Sequence, residues 1–438
     1  MKKGAMPSFC FVLSCQDEGG SAPLQLVPPC PGLPALLRCG TVDLMGAFLH
    51  AGDMLLYLHV PFCRSKCRYC AFFSEPLPYD GGAAEETLSL WAATLLEDLR
   101  RWGEHLGHPA VETVYFGGGT PSLVSPALLG KLLDAAATAF ALEDGAEISM
   151  EANPESMTPE RAPDFRLAGV NRISLGVQAL DDAQLCAVGR VHDRAVALHA
   201  YAGLRRAGFQ NVGLDFIWGL PGESLESWRQ QLEEAAALRP EHLSCYGLTP
   251  EEGTPLFRER SALPGEDVQA AMYLSCGEIL DGAGYEQYEV SNHALPGHAC
   301  RHNLGYWRGA DYLGLGPAAV STVGGRRWTQ PASLRDWREA VHEARFNAGT
   351  EALSFTEQAE ELVMLSLRTS EGLDEGRYRA LTGRDFARDN AAFLRELAAA
   401  GLAERKSGRV RLTRRGMLLS NSIIERFFEA LPEAPCLH

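Results

Sequence analysis

The chain has 438 residues, 46% hydrophobic and 22% charged, the balance of a globular protein with material for two or three domains. Its formal charge of −16 excludes broad affinity for nucleic acids or anionic membranes, which need a positive field. No run of about 18 uninterrupted apolar residues occurs, so no membrane span is expected.

Residues 1–53 fit poorly with the rest of the chain. They are rich in Pro, Gly and Cys (Cys10, Cys15, Cys30, Cys39) and carry no helical or strand period. Lys2-Lys3 ahead of the apolar residues 9–14 faintly resembles a secretory signal with a lipobox-like Cys15, but the stretch is short and follows Pro7. The preferred reading is a disordered extension upstream of a start at Met54.

From Met54 the pattern alternates. Strands are expected at 55–60, 111–116, 147–151, 171–177, 212–217 and 242–248. Helices are expected at 85–106, 125–140, 194–207 and 225–238, the first with Leu88, Trp91, Leu95 and Leu99 at helical spacing. Repeated βα units imply a parallel sheet of the α/β class, curved or closed into an incomplete (βα)6 barrel. Ligand sites on such sheets collect at the carboxyl ends of the strands. After about residue 329 the style changes to helices at 355–370, 373–381 and 390–400, a hairpin around Ser407-Gly408 and a closing helix at 415–431. That is the outline of a small winged-helix-like domain. The expected divisions are 1–53, 54–290, a connecting region at 291–329, and 330–438. Arg405, Lys406, Arg409, Arg411, Arg414 and Arg415 make the wing basic. Given the acidic whole, a solvated hairpin or a partner-docking face is preferred over a nucleic-acid wing.

The segment Tyr57-Leu-His-Val-Pro-Phe-Cys63-Arg-Ser-Lys-Cys67-Arg-Tyr-Cys70 puts three cysteines in C-x3-C-x2-C spacing just past the first strand. Clustered soft thiolates suit an iron–sulfur cubane or zinc. Structural zinc sites draw on two separated ligand pairs, and no second pair occurs nearby. An odd tight cluster does not pair off into disulfides. Three ligands leave a fourth iron open to a non-protein ligand, and the thiols require a reducing compartment.

In this triad the chain resembles the radical S-adenosylmethionine (SAM) proteins. In that family the open iron is chelated by SAM, and an electron from the cluster releases a 5′-deoxyadenosyl radical. The resemblance implies a [4Fe–4S] cluster on Cys63, Cys67 and Cys70, a radical-SAM barrel over 54–290 and a C-terminal domain of the HemN type over 330–438. It also implies a SAM site at Tyr57, Gly118, Gly119, Thr120, Glu151, Gln178, Arg190 and Asp215. Each of these can be read chemically. Gly117-Gly118-Gly119-Thr120-Pro121 comes directly after the second strand, where glycines let backbone approach a ligand. Glu151 ends the third strand, placed as acids are to accept from a ribose, while Gln178 and Asp215 end the fourth and fifth. Arg190 offers a bidentate fork for a carboxylate. The alternative for each is a structural cap.

Tyr57, His59, Pro61 and Phe62 narrow the resemblance to the branch of the oxygen-independent coproporphyrinogen III dehydrogenases and the HemW heme chaperones. The dehydrogenases carry a further cysteine two residues after the triad, where this chain has Phe72. Cys300-Arg301-His302-Asn303-Leu304-Gly305-Tyr306-Trp307 contains an H-N-x-x-Y-W motif typical of the chaperone branch. His302 is a candidate axial heme ligand, well separated from the cluster loop along the chain, with Cys300 as the next candidate and Tyr306 and Trp307 as flat faces for a porphyrin. The alternative is a packed loop whose histidine is hydrogen-bonded and whose aromatics fill core. The resemblance therefore implies a cytoplasmic heme chaperone with a SAM-coordinated cluster, and the alternative is a coproporphyrinogen III oxidase. No catalytic residue is assigned. The expected partners are heme, a heme-acceptor protein and an electron donor for the cluster, with a second copy of the chain as a candidate.

Overall fold

The alternation read from the sequence is realised strand by strand. The computed structural model describes residues 54–78, 80–345 and 349–429. The expectation of a disordered extension at 1–53 lies outside the described residues.

Strand β1 (Met54–Val60) leads through the cysteine loop to helix α1 (Gly81–Leu106). The Asp80 side chain caps α1 at the Gly82 N–H, and Trp91, Leu95, Leu99 and Trp102 bury one stripe of it. Next come β2 (Ala110–Gly118), α2 (Pro126–Ala139), β3 (Ala141–Ala152) and α3 (Ala162–Leu167). They are followed by β4 (Arg172–Gln178), α4 (Asp182–Ala187), α5 (Arg194–Arg206), β5 (Val212–Trp218), α6 (Leu225–Ala237) and β6 (His242–Gly247). Neighbouring strands from β1 to β6 pair in parallel in that order. A parallel sheet needs its outer face covered, and Leu56, Leu58, Ile148, Met150, Ile173, Leu175, Leu214, Phe216 and Leu243 form that face of the core. The alternate residues, among them Glu147, Ser149, Glu151, Arg172, Ser174, Asp215, His242, Ser244 and Tyr246, point the other way. The inner face is polar.

Several elements were not anticipated. A long helix, α7 (Glu266–Gly282), covers β5 and β6. The stretch 291–329, expected as a connector, adds strands to both edges of the sheet. β7 (Asn292–Ala294) pairs antiparallel with β6. On the other edge β8 (Tyr312–Leu315) lies parallel to β1, followed by β9 (Val320–Val323) and β10 (Arg326–Thr329) in antiparallel order. Between β7 and β8 the H-N-x-x-Y-W segment is a helix rather than a loop, α8 (Arg301–Trp307).

After β10, α9 (Leu334–His342) packs back on α1, and the C-terminal part then contains α10 (Phe355–Leu367), α11 (Glu375–Thr382) and a hairpin of β11 (Ala403–Lys406) and β12 (Arg409–Leu412). Leu373–Asp374, expected to open a helix, instead pairs with β12 as a third strand. The closing helix is broken at Leu419 into Arg414–Leu418 and Ser420–Phe428. The basic wing is largely neutralised within the fold. Arg405 pairs with Glu375, Arg409 with Asp374 and Arg414 with Asp281, while Arg411 donates to the Glu371 carbonyl. No described helix is long and apolar enough to cross a membrane.

Candidate functional site at the barrel mouth

The cysteine loop lies over the carboxyl ends of the strands and is tied down at three places. Its base closes as Glu75 N–H donates to the Pro61 carbonyl and Leu77 N–H to the Cys63 carbonyl. Its middle docks on the end of α4, where Arg68 donates to the carbonyls of Ala187 and Val188. Tyr69 then buries against Leu185, Val188, Ile217, Leu220, Leu248 and Leu256, with Cys67 and Cys70 packed beside them. The three thiols are free and partly exposed. Burial pushes the Cys63 thiol up and that of Cys70 up to about 11, so ionising them needs a cation at the sulfurs.

Two donors already point at those sulfurs. Thr120 Oγ1 lies 3.5 Å from Cys63 Sγ, and Arg190 Nη1 lies 3.5 Å from Cys67 Sγ. Among the described residues no three His, Cys, Asp or Glu side chains converge as on one metal ion. A mononuclear zinc site demands that convergence, whereas a cubane gives each thiolate its own iron. The donor set fits a cluster.

Most of the residues expected at a SAM site gather around this loop. Asn153 bridges the two sulfur donors: its Nδ2 donates to Thr120 Oγ1 at 3.0 Å and its Oδ1 accepts from Arg190 Nη2 at 2.7 Å. Arg190 also donates to the Gly176 carbonyl at 2.9 Å. A Cβ on Gly176 would lie 2.7 Å from Gln178 Nε2 and 3.1 Å from Asn153 Oδ1, so the missing side chain leaves room for both amides. Gln178 follows a bulge in β4 and sits at φ 68°, a left-handed conformation that costs a non-glycine residue and is held here by the surrounding strand ends.

Glu151 accepts from the Gly118 N–H at 3.1 Å and from the Tyr115 hydroxyl at 3.2 Å. Desolvation, with the charge of Asp215 nearby, pushes its carboxyl up to about 8. Asp215 accepts from Ser174 at 2.8 Å and from Ser244 at 2.6 Å, and burial raises its carboxyl too. Tyr57 is engaged with its own strand: its hydroxyl lies 3.0 Å from His59 Nδ1, and His59 Nε2 lies 3.1 Å from the Phe73 carbonyl. Gly118, at φ 114°, has a reason other than the one expected. A Cβ there would come within 2.4 Å of the His59 ring, so the glycine lets β2 close against β1. The Gly119 and Thr120 N–H groups likewise go to the Val60 and Phe62 carbonyls.

Three contributors escaped the sequence reading. Asn153 stands two residues past Glu151 and carried no signal beyond that neighbourhood. Glu155 and the buried His192 form a pair, 3.3 Å apart, and His192 Nε2 bonds the Val177 carbonyl at 3.0 Å. That pair braces the turn carrying Arg190. The cue was His192 standing two residues after Arg190.

At the opposite end of the barrel, α8 closes the floor. Glu147, on the inner face of β3, caps its first turn, accepting from the Arg301 and His302 N–H groups at 3.2 Å each and from Cys300 Sγ at 3.3 Å. A Cβ on Gly305 would lie 2.5 Å from Leu55 Cδ1, so the motif's glycine lets α8 seat on β1. His302 is fully buried and both its ring nitrogens are engaged, Nδ1 with Thr113 Oγ1 at 2.7 Å and Nε2 with the Tyr306 hydroxyl at 3.2 Å. Its ring stacks on Tyr115 at 4.9 Å, and burial lowers its basicity to about 3. Far along the chain from the cluster loop, it is nevertheless one ring away from the residue that holds Glu151. In this conformation His302 offers no nitrogen to a heme iron, and Cys300 is buried on Glu147. Between mouth and floor, the cavity lined by Tyr115, Arg172, His242 and Tyr246 has a volume of about 10 Å³, room for roughly one water.

This geometry agrees with comparisons to known proteins. The profile of the radical SAM superfamily matches residues 57–235, and that of the HemN C-terminal domain matches 353–419. The heme chaperone HemW of Mycobacterium tuberculosis is 37% identical over 395 residues, covering 89% of this chain and 98% of the relative. The chain belongs to the HemW family. Its Escherichia coli and Bacillus subtilis relatives in that family are 35% and 32% identical, covering 85% and 86% of this chain and 97% and 99% of their own. The solved structure of E. coli coproporphyrinogen III oxidase (HemN) shares the fold, with a TM-score of 0.74 at 22% identity, over 88% of this chain and 92% of that one.

Proposed function

We propose that this protein is a heme chaperone of the radical SAM type, which binds heme and passes it to an acceptor protein. The relatives that it matches over nearly their whole length are named heme chaperones. The structural observation that carries the reading is the filled barrel. Below Glu151 and Asp215 the cavity lined by Tyr115, Arg172, His242 and Tyr246, with α8 beneath it, is far too small for a tetrapyrrole. Phe72 in place of a further cysteine points the same way.

Cys63, Cys67 and Cys70 hold the [4Fe–4S] cluster in this reading, and Tyr57, Gly118, Gly119, Thr120, Glu151, Gln178, Arg190 and Asp215 frame SAM. The cluster with SAM would supply one-electron chemistry. The chain's own part is electrostatic. Arg190 and Thr120 donate to sulfur, Asn153 fixes both donors, and Glu151 and Asp215 present acceptors at the ends of β3 and β5. The function requires an electron donor for the cluster and a heme-acceptor protein, in a reducing cytoplasm, with a homodimer as the candidate assembly.

The test is anaerobic reconstitution with iron and sulfide, followed by a heme titration read at the Soret band and transfer of bound heme to an apo-acceptor. Saturable binding and transfer are expected. A protein that holds its cluster yet takes up no heme would contradict the reading.

A further inference from the structure

A second cavity, of about 330 Å³, lies where α8 meets the C-terminal domain, a volume within the range of small-molecule sites. One wall is apolar, formed by Leu304 and the indole of Trp307. The rest of the lining carries three guanidinium groups from three separate elements: Arg308 just past α8, Arg377 on α11 and Arg409 on β12.

The three arginines differ in their partners. Arg308 pairs with Glu371, and Arg409 pairs with Asp374 at 3.1 Å. Arg377 donates to the Arg308 carbonyl at 2.7 Å and enters no ion pair among the described residues. A half-buried cation whose side chain is bonded to a carbonyl, beside two cations already matched by carboxylates, leaves the lining one positive charge in excess. The apolar wall and the cationic rim together suit an amphiphilic anion: a flat apolar body with carboxylates along one edge.

We propose that this cavity takes the propionate edge of heme, with the macrocycle against Trp307 and a propionate carboxylate on Arg377. The assignment rests on the heme-chaperone reading. The lining holds no His, Cys, Met or Tyr, the usual protein ligands of heme iron. The site therefore grips heme by its periphery, leaving the iron and the far edge of the ring to the acceptor, an arrangement suited to transfer.

The test uses the full chain with its cluster reconstituted, titrated with hemin and, in parallel, with hemin dimethyl ester, whose propionates are masked. Arg377→Glu is expected to weaken hemin binding at least about tenfold, and Arg377→Lys to restore part of it. The ester should bind wild type and Arg377→Glu alike, and more weakly than hemin binds wild type. Hemin binding unchanged in a folded Arg377→Glu would overturn the assignment while leaving the chaperone reading intact. If that variant fails to fold, the ester decides on wild type alone: binding as tight as hemin overturns the site. A wild type that binds no hemin overturns both.

Discussion

The mouth and the floor of the barrel are built from opposite ends of the same strands, and both are polar, yet they are organised differently. At the mouth, donors reach toward sulfur at 3.5 Å, Gln178 sits strained at a strand end, and two carboxyls are held above their usual range. Such groups have capacity left for a ligand. At the floor Glu147 collects four donors, and His302 uses both ring nitrogens internally. A polar cluster that satisfies itself is architecture, and the residue types alone do not distinguish the two cases.

The largest effect expected is at the mouth. Replacing Cys63, Cys67 or Cys70 with Ala should abolish the cluster's visible absorbance and EPR signal. Cys245→Ala and Cys276→Ala, at buried positions behind the sheet, should retain both. Cluster retention in a triad variant would erase the contrast between the two ends.

At the floor, His302→Ala should destabilise the fold by roughly 2–4 kcal/mol, read by thermal or denaturant unfolding. It removes a buried ring and the partner of the Thr113 hydroxyl, and loosens Tyr306. The Soret position of bound heme should not move. A shifted Soret band with unchanged stability would make His302 a ligand after all.

How much of this was legible depended on range. The six parallel strands came from local alternation, and the mouth residues from their places at strand ends beside the cysteine triad. The floor was not legible. That Gly305 of the motif packs on Leu55, or that Glu147 caps a helix more than 150 residues downstream, emerges only from tertiary placement. Likewise, the wing arginines read as a charged face because their partners Glu375, Asp374 and Asp281 are distant in sequence.

A third expected effect lies outside both ends, as a control on the fold. Asp98 on α1 is buried against Trp337 of α9, which donates its indole N–H at 3.3 Å, and desolvation pushes its carboxyl up to about 7. A raised carboxyl stabilises the fold as the neutral acid, fully below the unfolded value near 4, and that contribution is lost as pH rises through 7. Relative to Asp98→Asn, wild type should therefore lose on the order of 3 kcal/mol between pH 4 and 8, measured as the difference in unfolding free energy. Parallel pH profiles would contradict this.

The smallest effect belongs to the wing. Arg405→Ala breaks an ion pair whose arginine is largely exposed, so little or no shift in the unfolding midpoint is expected, with no change in affinity for nucleic acid.

The filled barrel is tested most directly by supplying the reconstituted protein with coproporphyrinogen III, SAM and a reductant, and assaying for protoporphyrinogen IX. No turnover is expected, with heme binding intact in the same preparation. Decarboxylation faster than about 0.01 per second, still far below typical enzyme rates, would show that a tetrapyrrole reaches the barrel interior and would contradict the account.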